Sequence, residues 1–268
     1  MTREYTFVVF AALASMLPAC DGGGGGQGGS GAQGGSGGNT TTSGGGGTGG
    51  AVATGGTGGE VATGGTGGTG GTGGGSTGGS SGQPYPPSPY GYDVGTTIEN
   101  YGFSGYPAPL AAPDTLGVVH LGDFYNPTGQ GTYPADSPYG AGAVMPKRLL
   151  IQAAAVWSGP DNYQADAVLP GLLASYGPCL QVLAVLIDGP TPGQPAQTNS
   201  AYNWAQKYDA SYPVCVDPDF QLEPVFPMAA FPTNILIDTQ TMTIVDVISG
   251  VAEASSPFIQ DNVASVCP

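Results

Sequence analysis

The chain has 268 residues, 50 of them glycine, and 34 of those glycines fall among the 61 residues from Gly22 to Gly82. Residues 83–268 have ordinary apolar content, enough for one globular domain and too little for two. That portion carries 16 acidic residues against Lys147, Arg148 and Lys207, which excludes nucleic-acid binding, and the single histidine, His120, excludes any mechanism that needs two.

Residues 1–20 read MTREYTFVVFAALASMLPAC. Arg3 gives a weak positive end, partly offset by Glu4. Tyr5–Leu17 is a mostly apolar run of 13 residues, too short to cross a bilayer as a helix, which takes about 20. It has the length of a signal-peptide core. The run closes on Leu17-Pro18-Ala19-Cys20, which resembles the lipobox of bacterial lipoproteins, whose cysteine is lipidated and becomes the mature N-terminus. Pro18 departs from the small or polar residue common there. The plainer reading is an ordinary signal peptide with an incidental Cys20. The lipoprotein reading is preferred, because a cysteine directly before a glycine tract has no other evident use. It implies an extracytoplasmic protein held to a membrane through Cys20, in the periplasm or on the cell surface.

Residues 21–82 are Gly, Thr and Ser with few apolar side chains, and burial cannot offset their ordering entropy. A near-repeat, AVATGGTGG at 51–59 and EVATGGTGG at 60–68, lacks the aspartate that a calcium-binding β-roll needs. The segment therefore reads as a flexible linker, with a root-mean-square span of about 40–45 Å. Residues 83–90, QPYPPSPY, are proline-rich and read as stiffer and extended.

The remaining chain alternates strand and helix signals. LLIQAAAVW (149–157) and CLQVLAVLID (179–188) are buried-strand runs. Between them, Asp161–Tyr176 has helical spacing, with Val168, Leu169, Leu172 and Leu173 apolar. Thr198–Tyr208 reads as a helix with Trp204 on its apolar side, and YPVCVD (212–217) as a short strand. NILID (234–238) and TIVDVIS (243–249) form a hairpin. Ser256–Val266 is a final helix, with Ser256 as N-cap and Pro257 at the first helical position. This order predicts an α/β sandwich with a mixed sheet. Within 91–147, GVVHLGDF (117–124) has room for one strand, and the next 20 residues read as a long ordered loop.

Ala155-Val156-Trp157-Ser158-Gly159-Pro160-Asp161 ends a strand in Trp and opens a helix with Gly-Pro. This resembles the active-site turn of the thioredoxin-like superfamily. Ala230-Phe231-Pro232-Thr233, running into NILID, resembles that family's cis-proline loop. Residues 147–250 resemble the redoxin or TlpA-like branch of extracytoplasmic thiol–disulfide oxidoreductases, and the resemblance implies a three-layer sandwich over residues 83–268. It also implies two cysteines flanking Gly-Pro, one a low-pKa thiolate and the other its resolving partner. Ser158 and Asp161 stand at those positions. A serine hydroxyl stays protonated at neutral pH and forms no disulfide, so dithiol exchange and peroxidase chemistry are absent from this turn.

Ser158 has no G-x-S-x-G elbow, which argues against a hydrolytic nucleophile. Ser-x-x-Asp instead matches a capping box. The Ser158 oxygen accepts from exposed helix N–H groups, and Asp161 places charge at the positive end of the helix dipole. Trp157, Tyr163 and Phe231 are expected to cluster beside the turn, either as core or, with Pro232 and Thr233, as the groove where the family binds extended peptide. Asp217-Pro218-Asp219 reads as a turn rather than a cation site, and His120 as structural.

The sequence thus points to a lipid-anchored module without metal or cofactor, binding a peptide, a protein or another cell-envelope ligand. The alternative is a redox protein using Cys179, Cys215 or Cys267, none of which is in a C-x-x-C spacing. The thioredoxin topology implied by the resemblance places Cys179 and Cys267 at the pole opposite the turn and Cys215 nearer the turn. It therefore implies a Cys179–Cys267 bridge with Cys215 free and buried, against three free thiols.

Overall fold

The structure is a computed structural model that describes residues 84–225 and 230–267; residues 1–20, read above as a signal peptide ending in Cys20, and the glycine-rich segment 21–82 lie outside the described residues. In chain order the strands are β1 (Gly102–Tyr106), β2 (Gly117–His120), β3 (Arg148–Ala155), β4 (Leu180–Asp188), β5 (Val214–Val216), β6 (Thr233–Asp238) and β7 (Thr243–Ser249). They form one mixed sheet in the order β2-β1-β5-β4-β3-β6-β7. β3 and β4 are near-continuous apolar runs, the pattern of parallel strands buried on both faces. They pair in parallel from Arg148–Leu180 onward, and β5 extends the parallel set beside β4. On its other side β3 pairs antiparallel with β6, which hairpins into β7.

Along β3, β4 and β6 the side chains alternate between two cores. Leu150 and Ala154 of β3, Val182, Ala184 and Leu186 of β4, and Leu236 of β6 face the helices. α1 (Gly159–Tyr163) continues through a π-type turn, Gln164–Val168, into α2 (Leu169–Tyr176). Pro170 supplies no N–H to this helix, and the wider turn ends just before it, with Leu169 N–H reaching back to Gln164 O. α3 (Thr198–Lys207) links β4 to β5, and α4 (Pro257–Ile259) extends through a second π-type turn, Gln260–Ala264. Leu169, Leu172, Trp204, Phe258 and Val263 share this core. Two right-handed crossovers stepping the same way along a sheet place their helices on one face.

The opposite face carries Leu149, Ile151 and Ala153 of β3, Leu183, Val185 and Ile187 of β4, Cys215, Ile235 and Ile237. No helix from the alternating βα pattern covers it. Its third layer is the irregular chain before β3, which contributes Ile98, Leu121, Phe124, Tyr133 and Met145. GVVHLGDF divides into β2 and a 3-10 turn, Leu121–Phe124, and His120 lies at the junction, where its backbone N–H donates to Asp123. The long ordered loop is stapled by buried Asn126, whose side chain donates to the Met145 and Pro146 carbonyls and accepts from Gly131 N–H. β1 was not legible in the sequence. Gly105 is a steric requirement, since a Cβ there would stand 2.3 Å from Val214 O on β5.

Cys179, which leads into β4, and Cys267, after the last helix, form a disulfide with Cα atoms 5.6 Å apart. Cys215 is a buried free thiol. Opening a bridge of sequence separation 88 releases denatured-state entropy worth about 4–5 kcal/mol in the chain-closure account. The double substitution Cys179→Ala, Cys267→Ala is expected to lower stability by up to that amount, measured by urea unfolding of the non-reduced protein.

Candidate functional site at the β3–α1 turn

β3 ends at Ala155, and the chain turns through Val156 and Trp157 into α1. Val156 N–H donates to Asp188 O at the end of β4, and Ser158 N–H donates to Ala155 O. Ser158 is the N-cap of α1. Its backbone is extended and its Oγ accepts from Asp161 N–H at 3.4 Å. Pro160 lies in the first helical turn, where its missing N–H has no partner to lose.

Asp161 does not act as a solvated dipole charge. Its side chain is buried, and Ser158 N–H goes to Ala155 rather than to its carboxylate, so the return arm of a capping box is not made. Burial pushes the carboxyl up to about 7, outweighing the opposing hydrogen bonds at Ser158, the Ala155 backbone and Gln152. The physical reason is the helix's orientation: its first turn faces the sheet, and Asp161 points inward.

A polar layer that the sequence reading passed over lies beneath this turn. Gln152 interrupts the apolar run of β3 on the helix-facing side, and Asn234 does the same on β6. Gln164 and Asn234 form a reciprocal amide pair, with N–H···O distances of 2.7 and 3.1 Å. Asn234 also donates to Gly250 O, and Gln164 Oε1 accepts from Ala252 N–H. The helix, β6 and the segment after β7 are thereby joined. A polar residue inside an otherwise apolar buried strand was the available signal.

Trp157 and Tyr163 are not core. They are 45% and 51% exposed. Trp157 donates its indole N–H to Asp188 Oδ2 at 3.0 Å, and its ring meets Phe231 edge-on at 6.2 Å. That contact joins the turn to the loop before β6, where the Phe231–Pro232 bond is cis. Pro232 and Thr233 are buried, and the Thr233 hydroxyl donates to Ala230 O, so neither contributes an open wall. Trp157, Gly159, Pro160 and Tyr163 are exposed along the turn and α1, and Phe231 is half-buried. A groove of about 340 Å³ opens at the ends of β3 and β4, more apolar than polar in its lining, with Val156, Asn162, Pro190, Pro195, Trp204 and Lys207 among its walls. Asp217 is buried and its two carboxylate oxygens accept from Gln221 and Leu222 N–H, which makes its Pro218-Asp219 neighbourhood a capped turn.

Replacing Gln164 by Leu strands Ala252 N–H and Asn234 Oδ1, and each unpaired buried group costs about 1–3 kcal/mol. Gln164→Leu is expected to destabilise by ~2–3 kcal/mol. Combining it with Asn234→Leu should give less than the sum of the single losses, as read by a double-mutant cycle in urea.

No family model matches the chain, and no curated protein matches it. Solved structures do resemble it. A DsbE-type thiol:disulfide interchange protein from Chlorobium tepidum is 20% identical over 66% of this chain and 99% of its own, with a TM-score of 0.45. A DsbF homologue from Corynebacterium diphtheriae is 18% identical over 67% and 95%, with a TM-score of 0.41. The exposed lipoprotein thioredoxin of Streptococcus pneumoniae is 16% identical over 60% and 97%, with a TM-score of 0.38. A turn between β3 and α1, a cis-proline loop joined to it, and the antiparallel β6–β7 hairpin beside the parallel strands give this domain a thioredoxin-like fold.

Proposed function

We propose that this protein is a lipid-anchored, extracytoplasmic binding module that has kept the thioredoxin-like turn without its redox chemistry. The observation that carries the reading is the pair of residues flanking Gly159-Pro160. Ser158 serves as a helix cap and Asp161 is buried beneath the turn, so both positions are structurally employed and neither offers a thiol. The other cysteines do not supply a substitute. Cys215 is wholly buried, and burial pushes its thiol far up. Cys179 and Cys267 are joined to each other, and Cys179 starts the strand whose other end meets the turn.

The ligand surface is Trp157, Tyr163 and Phe231. A rigid aromatic pair beside a cis-proline loop suits an extended peptide, which stacks on ring faces at low entropic cost. Asp188 fixes the Trp157 indole from behind. The acidic surface favours a neutral or basic partner.

The full chain is expected to show no dithiothreitol-dependent insulin reduction. Ser158→Cys with Asp161→Cys is expected to form a dithiol that cycles, with the lower pKa on the residue-158 side at the helix N-terminus. Turnover by the unmodified protein would overturn the reading. In a peptide-array screen at fixed salt, Trp157→Ala is expected to weaken captured peptides by about tenfold or more, and unchanged capture would remove Trp157 from the surface.

Anchoring through Cys20 is tested separately. Cys20→Ala is expected to abolish metabolic incorporation of labelled fatty acid and to shift the protein from the membrane fraction to the soluble one.

A further inference from the structure

Beneath the turn, two buried polar atoms without partners belong to side chains that already touch. Gln152 donates its Nε2–H to Asp161 Oδ1 at 3.4 Å and to the Asp161 carbonyl at 3.5 Å. Gln152 Oε1 and Asp161 Oδ2 are both without a partner, on side chains with no exposed surface. An ionised carboxylate has only acceptors, and an amide oxygen is another acceptor, so a charged Asp161 offers Gln152 Oε1 no donor. A proton on Oδ2 would supply that donor. With that proton, the carboxylic O–H would donate to Oε1 while Nε2–H donates to Oδ1, making a reciprocal acid–amide pair.

We infer that Asp161 is carried as a neutral acid, donating Oδ2–H to Gln152 Oε1, and that release of this proton to solvent loosens the first turn of α1. The surroundings offer the charged form little. Burial is the largest influence on Asp161 and favours its neutral form; only neutral groups, at Ser158, Ala155 and Gln152, oppose it. Charged groups on the adjoining elements are engaged elsewhere. Lys207 of α3 donates to Asn162, Asp188 of β4 accepts from Trp157 and from Gly193 N–H, and Asp166 of the same helix is exposed. β6 contributes only neutral Asn234, already paired with Gln164.

The linkage has a definite sign. The ordinary value for this carboxyl is 3.8, and in the fold it is about 7. Between these values the unfolded chain has lost the proton while the folded one retains it, so stability falls as pH rises and levels off above the folded value. Within that window the folding constant falls about tenfold per pH unit. The inference does not depend on the peptide-binding proposal, since its readouts involve no ligand.

Asp161→Asn keeps a donor for Oε1 and an acceptor for Nε2 but cannot titrate. Urea unfolding of the full chain and of this variant, from pH 4.5 to 8.5, subtracts the contribution of the other carboxylates. The stability difference is expected to grow in favour of the variant by about tenfold in the folding constant per pH unit up to about pH 7 and then stay constant. Carbon-detected NMR of the unmodified protein reads the same group without relying on the variant's folding. The Asp161 carboxyl resonance is expected to titrate near neutrality, with the amides from Ser158 to Tyr163 shifting at the same midpoint. A resonance that titrates below pH 5, amides that do not respond, or a pH-independent stability difference would overturn the inference.

Discussion

Everything at the turn depends on β3 being paired on both sides. Its parallel partner β4 and its antiparallel partner β6 are fixed by registers that run from Arg148 towards the turn. These pairings bring the end of β4, with Asp188, and the start of β6, with its cis-proline loop, to the place where β3 gives way to α1. A one-residue slip in either register would exchange the two faces of β3. Leu150 and Ala154 would leave the helices, and Gln152 would leave the polar layer that joins α1 to β6. The apolar alternation of the strand is thus the specification for the site.

Much of this was legible in the chain because buried parallel strands are apolar on both faces and leave little ambiguity. The runs at 149–157 and 179–188, the 243–249 arm of the hairpin, and Ser256-Pro257 at the last helix all correspond to observed elements. The two motifs around Pro160 and Pro232 also pointed to their spatial relation. What escaped had weaker local signals. GFSGY carries two glycines and a serine, and is a strand only because β5 and β2 pair with it. The layer over the second face is irregular chain held by Asn126 and tyrosines, a pattern without periodicity. S-x-x-D announced a cap, but spacing within one helical turn does not say whether the acid faces water or the sheet. For Trp157, composition favoured burial, whereas its position past the end of β3 leaves it at the rim.

The turn keeps its geometry without a thiol. The turn here is held by backbone hydrogen bonds from Val156 and Ser158, by the cap at Ser158 and by Trp157 against Phe231 and Asp188. None of these requires sulfur. Exposed Trp157 and Tyr163 stand in a strongly acidic domain, and under the proposed function ligands would be selected by shape and charge rather than by reactivity.

The Cys179–Cys267 bridge also fixes how the domain responds to force. Drawn from its two ends, the chain can yield only the segments outside the bridge, because the 88-residue span between the cysteines is closed on itself. At about 3.3–3.6 Å per residue, roughly 300 Å of contour is withheld from extension. β4, β5 and the β6–β7 hairpin lie inside that loop, whereas β1, β2 and β3 lie ahead of it. Tension applied from the N-terminal side would therefore strip the loop-rich layer and load β3 first, while the rest of the sheet could separate but not unwind to full length.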